Sequence, residues 1–197
     1  MSNISKRSLD RRAFLAGASA AVGIASPALS QQQSEFISPP PVGVERNVST
    51  YQSLDWRVYF DTLDKGAIVS DTEARILHFW SEDEQIYNVY PTSVPMTDDL
   101  TKRGRTEITR KRVGPDWRPT PNMLVRDPTL PAYVGPGPNN PLGTHALYLS
   151  WQYYRIHGTN DTRKIGRRSS NGCIGLFNDQ ISELFDLVNV GTQVILI

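Results

Sequence analysis

The chain has 197 residues, a length typical of one compact domain once any leader segment is set aside. Hydrophobic residues make up 39% and charged residues 21% of it, which favours a soluble globular protein over a disordered or membrane-embedded one. The formal net charge is +1, but residues 1–30 carry four basic residues and Asp10, so the remainder has 17 basic against 19 acidic residues. A nucleic-acid-binding function therefore has no electrostatic support.

The N-terminal segment, residues 1–30, has the parts of an export signal. Four basic residues, including the pair Arg11-Arg12, precede a weakly apolar stretch over 13–26, and small residues continue to Ser30. The paired arginines resemble those of a twin-arginine signal. The apolar stretch is short and rich in Ala and Gly compared with the roughly 20 strongly apolar residues of a membrane span, so we expect cleavage rather than a permanent anchor.

Residues 31–57 are predicted to form a Pro-rich linker or arm. The stretch from Gln31 to Val44 is polar and contains Pro39-Pro40-Pro41, so it cannot bury a core and favours an extended chain. A plain spacer and a polyproline helix that binds a partner are both compatible with this composition.

Beyond Arg57, short β-branched and aromatic runs alternate with turn signals, a spacing typical of an antiparallel β domain. Strands are predicted at Gly66–Ser70, Arg75–Trp80, Ile86–Tyr90, Thr106–Thr109, Ala146–Trp151, Tyr154–His157 and Gln193–Ile197. The one strong helical pattern runs from Ile181 to Val188, with apolar residues at i, i+3, i+4 and i+7. Asn178 or Asp179 is predicted as the N-cap of this helix.

A Pro/Gly-rich segment over residues 113–144 contains eight prolines and is too long for a simple turn. Long ordered loops are usually functional lids or binding walls. Trp117, Met123, Leu124 and Tyr133 offer apolar anchors for such a loop. The alternative is a disordered insert.

Cys173 is the only cysteine, so it cannot close a disulfide within the chain. Cysteine catalysis needs a thiolate, a base and donors for an oxyanion, and Gly172 lets the backbone approach a substrate. His157 ends a predicted strand sixteen residues upstream, and a neighbouring imidazole would lower the thiol pKa toward neutrality. A buried structural cysteine is the alternative. The three histidines lie too far apart in the sequence for a zinc-site spacing.

Three motifs follow in the order and spacing of the L,D-transpeptidase (YkuD) catalytic domain, which the chain resembles. They are His157-Gly-Thr-Asn160, Ile165-Gly166 and Ser170-Asn-Gly-Cys-Ile174. The resemblance covers about Val58 to Ile197, so residues 58–197 are predicted to be the catalytic domain. It implies a mainly β, sandwich-like or barrel-like fold with a short C-terminal helix and a long Pro/Gly-rich loop.

The resemblance also implies a peptidoglycan L,D-transpeptidase in the periplasm. Cys173 would attack the bond between the L-centre of meso-diaminopimelate and D-Ala in a tetrapeptide stem, and D-Ala would leave. An amine of a second diaminopimelate, or the N-terminus of an outer-membrane protein or lipoprotein, would take the acyl group. His157 would move the protons, the Gly158 carbonyl would orient its ring, and backbone N–H groups around Gly172 would hold the oxyanion. We expect a monomer without metal or organic cofactor that carbapenems acylate.

The chain departs from the family pattern at three positions. One is His145, which stands where an arginine is often found and which we interpret as a structural residue. Asn171 stands where many members have a histidine, which leaves His157 as the base. Gly175 stands where many have an arginine, which puts substrate-carboxylate binding in doubt. Arg167 and Arg168 are candidates to compensate, and the alternative is that they are solvated loop charges without a function. The candidate substrate-binding residues are therefore Ser170, Asn171, Arg167 and Arg168. Ser170 matches a family Ser/Thr that braces the loop or the substrate, although a serine here also suits a plain turn.

Two other functions stay open at this point. The same acyl-enzyme could pass to water, which would make the protein an L,D-carboxypeptidase or a hydrolase. Alternatively, the domain could bind peptidoglycan without turnover, a reading motivated by Gly175. In either case the intact pair of Cys173 and His157 is the feature to be explained.

Overall fold

The computed structural model describes residues 52–197, so the predicted signal peptide and most of the predicted arm lie outside the described residues. The strands are β1 (Ala67–Asp71), β2 (Ile76–Trp80), β3 (Tyr87–Pro91), β4 (Val94–Pro95), β5 (Gly104–Val113), β6 (His145–Leu149), β7 (Arg155–His157), β8 (Arg168–Ser170), β9 (Ile174–Gly175) and β10 (Gln193–Leu196). The α-helices are α1 (Pro121–Arg126) and α2 (Asn178–Leu187), and single 3-10 turns lie at Trp56–Val58, Asp98–Leu100 and Thr162–Lys164. The predicted mainly β fold is confirmed, with one short C-terminal helix and one helical turn and a half inside the Pro/Gly-rich loop.

The curled main sheet has the strand order β3-β2-β1-β10-β5-β6-β7-β9, and β4 pairs with β8 beside it. The expectation of an antiparallel domain is wrong in part, because the sheet is mixed. β1 lies parallel to β10, and β7 lies parallel to β9, with His157 opposite Gly175. Parallel neighbours require a crossover connection, and the one between β7 and β9 carries the three sequence motifs.

Strand β5 joins the two halves of the sheet. Its first part pairs with β10 and its second part with β6, and the register shifts between Ile108 and Arg110. A register irregularity of this kind increases the local bend and twist of a strand. The strand is ten residues long, whereas the sequence predicted only Thr106–Thr109. The prediction was too short because most of the outward-facing side chains of β5 are charged, which hides the alternation of a strand.

Helix α2 packs its apolar face on β6 and β7, which fixes the strand that carries His157. Ile181 and Leu184 are fully buried there, and each such burial contributes about 1.5–3 kcal/mol. The predicted N-cap is wrong. The N-cap residue is Phe177, which makes no side-chain cap hydrogen bond, and Asn178 is the first helical residue. Its amide is used elsewhere, against the segment that follows His157.

The Pro/Gly-rich segment over 113–144 is a folded loop. Asn140 is 1% exposed and organises it, since its side-chain amide donates to the carbonyls of Pro115, Val134 and Gly135. Trp117 is buried and exchanges two backbone hydrogen bonds of 2.9 Å with Val134. The predicted anchoring by an aromatic residue therefore holds for Trp117, whereas Tyr133 stays half exposed at 50%.

None of the helices within residues 52–197 combines the length and the apolar character that crossing a membrane requires.

Candidate active site

His157 and Cys173 are brought together by the parallel pairing of β7 with β9. Ile156 pairs with Ile174, and both side chains point into the core with 0% and 1% exposure. Side chains alternate along a strand, so the residues on either side of these isoleucines point to the opposite face. His157 thus shares a face with Cys173, which directly precedes β9. The N–H of Leu176 donates to the His157 carbonyl at 2.8 Å and locks this register.

The His157 ring is oriented by the next residue. Nδ1 lies 2.5 Å from the Gly158 carbonyl oxygen, and since a carbonyl only accepts, Nδ1 carries the proton and Nε2 is left as the acceptor. Burial lowers the pKa of His157 to about 4, against the raising effect of the Gly158 hydrogen bond and helped by the charges of Arg155 and Lys164. The imidazole is therefore neutral at neutral pH and able to take a proton.

Asn178 clamps the segment that presents the Gly158 carbonyl. Its Oδ1 accepts from the N–H groups of Thr144 and Thr159 at 3.2 and 3.1 Å, and its Nδ2 donates to the Thr159 carbonyl at 2.9 Å. A Cβ at position 158 would lie 2.2 Å from that Oδ1, so glycine is required there by space. Sequence reasoning missed this role, because it assigned Asn178 to the helix cap.

The Cys173 thiol is partly exposed and donates to the Tyr153 carbonyl at 3.3 Å. Burial raises the pKa of the thiol, and the charge and hydrogen bonds of Arg155 oppose that rise. The sequence predicted a lowered pKa from a neighbouring imidazole. That expectation is wrong for the resting site, because the neutral ring of His157 supplies no positive charge. The site thus pairs a neutral thiol with a neutral imidazole.

The turn before Cys173 is held by hydrogen bonds between its own residues. The Ser170 hydroxyl donates to the Cys173 carbonyl at 2.5 Å, and the Gly172 N–H lies 3.4 Å from the Ser170 oxygen. Gly172 has φ +121°, a conformation that L side chains rarely adopt, and a Cβ added there would lie 3.5 Å from the ring of Tyr154. The Cys173 N–H donates to no other group within residues 52–197. It is a candidate donor for an oxyanion.

The Pro/Gly-rich loop contacts this turn through Asn171. The Asn171 Oδ1 accepts from Arg126 Nη2 at 2.6 Å, and Arg126 ends helix α1. Both side chains are exposed. The loop is thus joined to the turn before Cys173 by an exposed side-chain hydrogen bond.

The arginines expected to replace the missing family arginine are occupied or turned to solvent. Arg168 forms ion pairs with Asp98 at 2.6 Å and Glu73 at 3.8 Å. Arg167 is exposed, and its carbonyl accepts from the Val94 N–H. Arg155, which the sequence analysis did not single out, is the arginine whose charge and hydrogen bonds lower the pKa of the Cys173 thiol against the larger effect of burial. Its position two residues before His157 on the same predicted strand could have identified it from the sequence.

Gly175 is accommodated by a close neighbour. Gly175 and Ser93 exchange backbone hydrogen bonds of 2.8 and 3.0 Å, and a Cβ at position 175 would lie 2.3 Å from the Ser93 Oγ. The space where a side chain would begin is thus filled by a serine hydroxyl.

The part of the chain that the structure covers offers no cluster of three or more His, Cys, Asp or Glu side chains that could hold a metal ion. His78 is buried and bonds the Tyr87 hydroxyl at 2.8 Å, and His145 packs on Phe185 with ring centroids 4.8 Å apart.

Comparison with known proteins gives one consistent family. The family model of the L,D-transpeptidase catalytic domain (YkuD) matches residues 64–196. A Fuscovulum blasticum protein, named as an L,D-transpeptidase in the ATP synthase subunits region, is 54% identical over 94% of this chain and 96% of its own length. The Escherichia coli L,D-transpeptidase ErfK/SrfK is 42% identical over 68% of this chain, which spans only 44% of that relative.

Solved structures agree on the fold. An L,D-transpeptidase from Mycobacterium smegmatis has a TM-score of 0.51 at 22% identity, over 68% of this chain and 58% of that one. L,D-transpeptidase 3 from Mycobacterium tuberculosis, in complex with a faropenem-derived adduct, has a TM-score of 0.52 at 14% identity, over 67% of this chain and 60% of that one.

Proposed function

The chain belongs to the L,D-transpeptidase (YkuD) family, and on that premise we propose that it forms an acyl-enzyme at Cys173 on the tetrapeptide stem of peptidoglycan. The observation that carries the proposal is the common face of Cys173 and His157 beside the β7–β9 pair. On that face the imidazole is held in the tautomer whose Nε2 accepts a proton.

The proton and electron movements follow from the two neutral groups. The thiol proton passes to Nε2 of His157 as Sγ attacks the carbonyl carbon on the L-centre of diaminopimelate. The oxyanion is held by the N–H groups of the turn at Gly172 and Cys173. When the C–N bond breaks, the imidazolium returns the proton to the amine of D-Ala, which leaves, and a thioester remains.

The second half of the reaction runs in the opposite direction. An acceptor amine loses a proton to His157, attacks the thioester and displaces the Cys173 thiolate, which recovers its proton from the imidazolium. The acceptor is the side-chain amine of a second stem, giving a 3-3 cross-link, or the N-terminus of an envelope protein. Since peptidoglycan lies outside the cytoplasmic membrane, export through residues 1–30 to the periplasm is part of the proposal.

The test is incubation of the purified protein with a disaccharide tetrapeptide, with products resolved by mass. A cross-linked dimer and free D-Ala are expected from the wild type, and neither from Cys173→Ala. If tripeptide forms without dimer, the acyl group passes to water and the protein is an L,D-carboxypeptidase. If a folded wild type forms no product, the protein is a peptidoglycan-binding module.

Carbapenems give a second, independent assay. A relative of known structure carries a faropenem-derived adduct, and another was solved with imipenem. We propose that this chain is acylated in the same way at Cys173. A mass increase of one inhibitor per chain is expected in the wild type and not in Cys173→Ala.

A further inference from the structure

Arg155 is a charged side chain beside the nucleophile that the chemistry above does not use. It opens β7 two residues before His157, so strand alternation puts both side chains on one face of the sheet. Because Ile156 pairs with Ile174 in parallel register, Arg155 lies level with the residue before Ile174, which is Cys173.

The guanidinium and the thiol share one acceptor. Arg155 Nη1 donates to the Tyr153 carbonyl at 3.5 Å, and Cys173 Sγ donates to the same oxygen at 3.3 Å. The two donors therefore lie no farther apart than the sum of these distances. When the thiol loses its proton it can no longer donate to the Tyr153 oxygen, and the two lone-pair-bearing atoms repel. The thiolate then needs a donor, and Arg155 is the neighbouring one.

Arg155 also has a side-chain N–H donor without a hydrogen-bond partner among the described residues. Its Nε is buried and has no hydrogen-bond partner within residues 52–197. No carboxylate of that range pairs with it, whereas Arg163 and Arg168 are both bonded to aspartates. The guanidinium instead lies 5.1 Å from the ring of Tyr148. A partly buried cation that pairs with no carboxylate among the described residues can stabilise an anion that forms only during the reaction, such as a thiolate.

Resting on the proposed function, we propose that Arg155 is the cation that stabilises the Cys173 thiolate as it forms during attack and again as the thioester breaks. The thiol proton still passes to His157 and the electron pair stays on Sγ, while the guanidinium keeps all its protons throughout. In this site the positive charge that stabilises the thiolate comes from the arginine rather than from a charged imidazole. His157 stays neutral and can act as the base. The same charge lowers the pKa of the thiol against the effect of burial.

The single cysteine makes the test direct, because iodoacetamide reports on Cys173 alone in the full chain. The rate of alkylation is measured from pH 6 to pH 11 for the wild type and Arg155→Gln. We expect the apparent thiol pKa to rise by about one unit in Arg155→Gln, and the alkylation rate at a fixed lower pH to fall about tenfold. Arg110→Gln is the matched control, because Arg110 lies 3.7 Å over the same Tyr148 ring, and its rate should stay within about twofold of wild type.

A profile for Arg155→Gln that coincides with wild type or with Arg110→Gln would overturn the proposal. So would a variant whose KM for tetrapeptide rises while its alkylation profile is unchanged, since Arg155 would then bind a substrate carboxylate only. Arg155→Lys keeps the charge and serves if the glutamine variant does not fold. Its thiol pKa should stay within about half a unit of wild type, and a full unit of rise would overturn the proposal.

The alkylation assay is independent of peptidoglycan turnover. If the wild type fails to process tetrapeptide but Arg155→Gln shifts the profile, the proposed function fails and the role of Arg155 stands. If tetrapeptide is processed and the alkylation profile does not move in Arg155→Gln, the proposed function stands and the role of Arg155 fails.

Discussion

Replacing Asn178 by alanine tests whether the base is positioned through the segment that follows it. The side-chain amide makes three hydrogen bonds to backbone groups of Thr144 and Thr159, at 3.2, 3.1 and 2.9 Å. Thr159 is only 4% exposed, so its N–H and carbonyl cannot turn to water when the amide is removed. The N–H of Thr144, which is exposed, can do so.

The magnitude follows from that count. Each buried backbone group left unpaired costs about 1–3 kcal/mol, so the loss of two such bonds in Asn178→Ala should lower the unfolding free energy by about 2–6 kcal/mol. The Gly158 carbonyl would lose its fixed position at the same time, and a displacement of about 1 Å in a catalytic group costs about 100-fold in rate. Asn178→Asp keeps both acceptor bonds and loses the donor, so its loss should be smaller.

Urea unfolding and the rate of tetrapeptide acylation are the two measurements. Asn160→Ala is the matched control, since Asn160 is exposed and makes one hydrogen bond, to the Asn139 carbonyl at 3.2 Å. Its stability should stay within about 1 kcal/mol of wild type. Asn178→Ala with a stability within about 0.5 kcal/mol and a rate within about twofold of wild type would refute the reasoning.

Three further predictions concern pH, packing and the loop. The folded pKa of His157 is about 4 against 6.5 in the unfolded chain, so the unfolded state binds more protons between these values and stability falls as pH drops through them. The loss should reach at most about 3 kcal/mol by pH 4, and urea midpoints of His157→Gln that keep the full wild-type slope would contradict it. Gly175→Ala should lower the unfolding free energy by about 1 kcal/mol, because the Ser93 side chain must leave its rotamer to make room for the new Cβ. The double variant with Ser93→Gly should recover part of that loss. Equal melting temperatures for wild type and Gly175→Ala would count against the contact. Arg126→Ala should speed amide exchange in helix α1 several-fold with stability within about 0.5 kcal/mol, and unchanged exchange would mean that the loop does not depend on this hydrogen bond.

The longer strands and the C-terminal helix were predictable because their side chains carry the period of the element. β1, β2, β3 and β6 lie within a residue or two of the predicted runs, and α2 follows the apolar spacing from Ile181 to Val188. Strands β4, β8 and β9 were missed, because two or three residues are too few to display alternation. They form through backbone pairing with distant partners, such as Val94 with Arg168.

Residue types and spacing alone leave Cys173 and His157 as candidates, with a structural cysteine as the alternative. The resemblance to the family motifs is what singles them out, together with Gly158 and Gly172. Asn178 was not singled out, since its amide faces Thr144 and Thr159 only after α2 packs on β6 and β7.

Arg155 could have been found from its place two residues before the histidine in a predicted strand. That it faces the thiol depends on the parallel pairing of β7 with β9, which spacing alone does not predict. The same limit applies to the thiol pKa, because its rise comes from burial.

The central claim is that Cys173 carries the acyl group, and the most direct measurement is the intact mass of the protein during turnover. The protein is mixed with disaccharide tetrapeptide and the reaction is quenched in acid within seconds. The intact mass is measured by mass spectrometry, and the protein is then digested to locate the adduct. The account predicts a mass increase equal to the disaccharide tripeptide acyl group, on the peptide that contains Cys173, and no increase in Cys173→Ala. An adduct on another residue, or product formation by a folded Cys173→Ala, would contradict it.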